Sequence, residues 1–178
     1  MADILFSFVV LLIQLFLGIL FAVLSVYFAL RLFDVMTEEI DEIAELKRGN
    51  IAVALVLFTI IVSIATITSQ GIQQFENIFN ATTFSLPMFM ISFIMAIVQL
   101  GVVLLIAVLT IYTAIKVLDT LTVGIDELKE LKKGNIAVAL LICAVIYTVS
   151  FIVAVSISGI ENLLIFQPET LATLVGLK

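Results

Sequence analysis

Polar residues in this chain gather in short clusters between long apolar runs, which cover residues 4–33, 51–70, 86–118 and 136–158. Each run is about as long as the roughly 20 residues a helix needs to cross a bilayer core, or longer. In lipid a helix satisfies its own backbone polar groups. The pattern therefore predicts an all-α integral membrane protein with four transmembrane helices. Pro87 sits in the first turn of the third, where its missing N–H costs nothing. A charged segment separates the first helix from the second, and another separates the third from the fourth. Within these connectors Met36, Ile40 and Ile43 recur at i, i+4 and i+7, as do Leu121, Ile125 and Leu128. That is helical spacing with acids on the other face, so each connector is expected as an amphipathic helix. Residues 71–85 are polar and aromatic, without Lys or Arg, and read as the loop between the second and third helices.

The chain writes one stretch twice. Residues 34–55 (DVMTEEIDEIAELKRGNIAVAL) return as residues 119–140 (DTLTVGIDELKELKKGNIAVAL), a shift of 85 positions. Under that shift Ser7 meets Ser92, Gln14 meets Gln99, Ala22 meets Ala107 and Tyr27 meets Tyr112. Each repeat is then a two-helix hairpin with its connector, occupying 1–85 and 86–160, and 161–178 is expected as an interfacial C-terminal tail. Two crossings per repeat insert both copies the same way round, which predicts a parallel duplication about a pseudo-twofold along the membrane normal.

Composition agrees with the pattern and narrows the chemistry. The chain is 63% hydrophobic and 12% charged, far from the near-half apolar and quarter-charged make-up of soluble domains. Seven of the eight Lys and Arg flank or lie in the connectors, and only Lys178 lies elsewhere. By the positive-inside rule the connectors are cytoplasmic and both termini face out. The first run lacks a basic leader region and a small-residue cleavage site, so it reads as a spanning helix, not a cleaved signal. There is no histidine, and Cys143 is the only cysteine. This excludes a disulfide within the chain and any zinc or haem site of the usual Cys/His ligand set. No cofactor and no metal are expected. Nothing resembles a nucleophile beside its base or a phosphate loop, so no enzymatic activity is expected either.

Three groups of residues carry what chemistry remains. Gly49-Asn50 and Gly134-Asn135 read as structural caps: glycine takes the left-handed conformation that ends one helix, and asparagine caps the next. Asp41 with Glu45, and Asp126 with Glu130, are like-charge i,i+4 pairs that would cost a helix stability. Their presence in both copies marks a candidate face for a cation or a basic partner beside the simpler reading of a solvated helix face. Ser7, Gln14 and Ser25 fall within about 20° of one face at 100° per residue, repeated by Ser92, Gln99 and Thr110. Such a stripe turns inward to pack small residues and bond Gln amides across helices, or more rarely lines a conducting path. Ala65 with Ser69, and Ser150 with Ala154 and Ser158, have the spacing of close helix contacts.

The motif I-D-E-x-x-E-L-K-[KR]-G-N-I-A-V-A-L, at residues 40–55 and 125–140, resembles the domain-of-unknown-function 350 family, also termed the uncharacterised protein family 0719 of small prokaryotic inner-membrane proteins. Both halves match, so the resemblance spans all but the tail. It implies tandem hairpin units, residence in the cytoplasmic (inner) membrane and no established activity. Some relatives lie near membrane-stress genes of the phage-shock type, which implies a link to membrane stress. The expected partners are membrane lipid and either further copies of the chain or a larger membrane complex, with no nucleic acid. The leading expectation is a structural or accessory membrane protein. The alternative is a small ion channel or transporter with a pathway between repeats or protomers.

Overall fold

The computed structural model describes residues 2–37, 41–81, 86–122, 124 and 126–157. Helix is the only regular secondary structure among them. Four long helices alternate with two short ones: α1 Ala2–Met36, α2 Glu42–Lys47, α3 Ile51–Ala81, α4 Leu86–Leu121, α5 Glu127–Lys132 and α6 Ile136–Ile157. Four stretches are long and apolar enough to cross a membrane: Leu11–Val35, Ile51–Gly71, Phe93–Leu121 and Ile136–Ile157. These are the four helices that the apolar runs predicted. The residues expected as a C-terminal tail, 161–178, lie outside the described residues, as does Ser158.

Two boundaries differ from the sequence reading. α3 does not stop near residue 70 but continues through Gly71 to Ala81. At about 1.5 Å per residue it is roughly 46 Å long, more than the roughly 30 Å hydrocarbon core requires. Polar side chains therefore mark where this helix leaves the core, not where it ends. The connectors also differ. Each holds a helix of only six residues, because the chain turns extended at Asp41 (ψ 96°) and at Asp126 (ψ 93°). The expected apolar stripe along each connector is accordingly not continuous. Ile43 and Leu121 are exposed and Leu128 is half-buried, while Ile40 and Ile125 lie outside the described residues.

α3 is the centre of the bundle. It packs on α6 most extensively, then on α4 and α1, and α4 also packs on α6. Its buried Ile60, Ile64 and Ile67 belong to one core with Phe33 of α1, Ala107 and Ile111 of α4, and Ala139, Ile142 and Ile146 of α6. Half of its spanning stretch is buried, against 17% for α1 and 22% for α6. Both connectors lie at the same end of the bundle, as an even number of crossings per repeat requires.

The pseudo-twofold expected from the sequence does not extend to every pair of helices. A twofold that brought α3 against α4 would bring α6 against α1 equally, and α1 and α6 form no comparable contact. Only four residues separate the end of α3 from the start of α4, and so short a connection makes antiparallel helices neighbours. No such tether acts between α6 and α1.

Candidate interaction site at the connector ends

The two Gly-Asn junctions are built alike. Gly49 (φ 78°) and Gly134 (φ 76°) occupy the left-handed region that only glycine enters cheaply. The Gly49 N–H donates to Leu46 O at 3.0 Å and the Asn50 N–H to Glu45 O at 3.0 Å; Gly134 and Asn135 donate to Leu131 O and Glu130 O at 2.9 and 3.0 Å. This is the paired Schellman closure of a helix C-terminus. Each asparagine then starts the next helix. Asn50 Oδ1 accepts from the N–H groups of Ala52 and Val53 at 3.1 and 3.3 Å, and Asn135 Oδ1 from Ala137 and Val138 at 3.1 and 3.4 Å. Two residues thus end one helix and cap another while the chain reverses from connector to membrane.

The acids are drawn into the same construction. Asp41 and Asp126 are N-caps, accepting from Ala44 N at 2.9 Å and Lys129 N at 3.1 Å. They therefore sit outside the helix that holds Glu45 or Glu130, and the like-charge i,i+4 penalty does not arise. Glu45 accepts from Asn50 Nδ2 and from Arg48 Nη1, both at 2.8 Å. Glu130 accepts from Asn135 Nδ2 and Lys133 Nζ, both at 2.7 Å. The Asn50 bond, followed by the nearby Arg48, holds the Glu45 carboxyl below its ordinary range. Asn135, then Lys133, does so for Glu130, and Lys129 does so for Asp126. All four residues of the candidate cation face are thus engaged locally, and among the described residues no group of three or more His, Cys, Asp or Glu is placed to hold a metal ion.

One bond crosses between repeats. Asn50 Nδ2 also donates to Leu131 O of α5 at 2.9 Å, and a Cβ on Gly134 would lie 3.8 Å from Asn50 Oδ1. Beside it a cavity of about 500 Å³ opens between the repeats, with Phe33, Val56, Ile60, Tyr112 and Leu131 among its walls and Lys116, Asp119 and Glu127 as its charged groups. The buried Glu127 pairs with the hydroxyl of Thr122. Neither Gln14 nor Gln99 lines this cavity.

The intramembrane polar stripe is only partly inward. Ser25 and Gln99 are buried, Gln14 and Thr110 are half-buried, and the side chains of Ser7 and Ser92 lie outside the described part. Ser25 Oγ donates to Phe21 O at 2.7 Å and lies 3.4 Å from Thr68 Oγ1 on α3. Thr68 carried no signal in the sequence, since a threonine inside an apolar run reads as packing. Of the residues with close-contact spacing, Ser150 and Ala154 are buried, whereas Ala65 is exposed and Ser69 half-buried. The buried hydroxyls of Ser63 and Ser150 have no hydrogen-bond partner, so these residues serve close packing.

The family described as Domain of Unknown Function (DUF350) matches this chain over residues 3–157 and again over 92–177, two overlapping segments consistent with tandem copies. No curated protein and no solved structure gives a significant match.

Proposed function

The chain belongs to the Domain of Unknown Function (DUF350) family, and we propose that it is a structural or accessory membrane protein that associates with further copies of itself or joins a larger membrane complex. The observation that carries this reading is the division of polar groups between membrane and connectors. Within the four spanning stretches no Asp, Glu, Lys or Arg is buried among the described residues; the buried polar groups there are Ser25, Ser63, Thr68, Gln99 and Ser150. Ionisable residues inside a membrane mark ion and proton pathways because they cost so much to place there. The ionic groups of this chain instead hold the junctions rigid and leave Arg48, Lys129 and Lys133 exposed at the bundle end. A rigid end dense in charges of both signs beside lipid suits docking and assembly, and it needs no catalysis.

The same basic residues support connectors inside and termini outside, and the family supports a place in the cytoplasmic membrane of a prokaryote. The family's setting supports a link to membrane stress. The test is purified protein in liposomes with a potassium or proton gradient. Flux no greater than in empty liposomes, before and after Gln14→Leu with Gln99→Leu, is expected. Flux that the double substitution abolishes would replace this reading with a channel.

A further inference from the structure

We infer that chains join head to tail, α6 of one copy packing on α1 of the next by repetition of the α3–α4 contact inside each chain. This rests on the self-association proposed above and names its surface. The 85-residue shift makes α3 equivalent to α6, and α4 to α1. Burial at equivalent positions is not equal, and one face of α3 and one of α4 are covered where their equivalents on α6 and α1 are open.

On α3 the buried residues Ala52, Val56, Ser63, Ile67 and Gly71 follow one helical stripe. Their equivalents on α6, Ala137, Leu141, Thr148, Ile152 and Ser156, are all exposed. The far end of the α3 stripe faces α4, since a Cβ on Gly71 would meet Leu100 and Val103 at 3.2 Å. On α4, Leu100, Leu104, Ala107 and Ile111 are buried; their equivalents on α1, Leu15, Ile19, Ala22 and Val26, are exposed. The contrast is large, 1% against 57% exposure for Leu100 and Leu15. The covered pair of faces and the open pair therefore carry one pattern. The open pair also keeps small residues, Ala137 and Ser156 on one side and Ala22 on the other, which helix contacts in lipid use and a lipid-facing surface does not require.

The junctions show the same inequality independently. Asn50 reaches Leu131 O in the other repeat. In the second copy Asn135 repeats the caps and the bond to Glu130, but no bond to Leu46 O, the equivalent acceptor, forms within the chain. Leu131 is 2% exposed and Leu46 40%. Gly134 has Asn50 beside it, whereas Gly49 has open space. Each chain thus has one used and one unused copy of a single interface, and the two unused halves are complementary. A head-to-tail contact closes into a ring when its rotation divides a full turn. The smallest ring is a dimer containing four repeats.

Cysteine pairs test this in a Cys143→Ser background. Gly71 lies against Leu100, so Ser156→Cys on one tagged chain should meet Leu15→Cys on another. Disulfide formation requires Cα atoms within about 7 Å, so roughly tenfold more interchain product is expected than with Leu20→Cys, which lies on another face of α1. Equal yields at both positions, or an oligomer without the Ser156–Leu15 link, overturn the inference and leave the accessory reading standing. Flux in liposomes with the link intact removes the accessory reading and leaves the interface. A monomer in lipid, with no link, removes both. As a second readout, Ala22→Trp should shift the native mass in lipid nanodiscs to monomer without loss of helicity, and an unchanged oligomer counts against the interface.

Discussion

At the scale of single residues, the two asparagines separate what sequence can specify from what packing adds. Their identical roles as caps were legible, because glycine and asparagine at that spacing solve two backbone problems at once. The bond from Asn50 to Leu131 O was not legible, since it joins positions whose proximity depends on how the repeats pack. This asymmetry yields a prediction. Asn135→Ala removes a cap and should cost about 1 kcal/mol. Asn50→Ala also removes the bond to Leu131 O; that carbonyl keeps the Gly134 N–H, so the further loss is that of one net hydrogen bond, ~0.5–1.5 kcal/mol. Denaturation of the monomer in detergent should therefore rank Asn50→Ala as clearly the more damaging, and equal losses would mean that the cross-repeat bond adds nothing.

At the scale of elements, the four membrane helices were legible because lipid imposes length and apolarity together. The ends were harder to read. Hydropathy marks where a helix meets water, and α3 continues past that point to Ala81. The break at Asp41 and Asp126 had a signal that the sequence reading divided between a solvated helix face and a ligand face: two acids that would repel within one helix need not both lie inside it. The capped connectors carry a pH dependence. Asparagine bonds hold the folded pKa of Glu45 and Glu130 below the ordinary value of 4.5. A depressed carboxylate contributes stability that is fully present above its unfolded pKa and is lost as pH falls through the folded one. The junctions should therefore be stable at neutral pH and loosen below about pH 4.5. Hydrogen exchange at the Ala52, Val53, Ala137 and Val138 amides should rise there relative to helix interiors. Glu45→Gln with Glu130→Gln should flatten that rise, and an unchanged pH profile would show that these bonds do not control the junctions.

At the scale of the whole molecule, the sequence reveals that a hairpin was duplicated but not the operation relating its copies. Shift and polarity are properties of the chain; rotation is a property of side-chain packing, and only the structure shows α3 against α4 with α6 and α1 open. Equivalent positions should therefore respond differently to the same change. Gly71→Leu places a side chain where even a Cβ meets Leu100 and Val103 at 3.2 Å, and overpacking of this kind costs about 1–3 kcal/mol. It should lower the stability of the single chain in detergent. Ser156→Leu, at the equivalent position on exposed α6, should leave that stability within about 0.5 kcal/mol of wild type, as surface changes do. Its effect should fall on the assembly, because the added side chain occupies the space where α1 of the next copy packs. Unfolding in detergent and native mass in lipid read these two costs separately. A Ser156→Leu protein as assembled as wild type would show that α6 faces lipid, and a Gly71→Leu chain of unchanged stability would show that the α3–α4 contact is loose enough to need no counterpart.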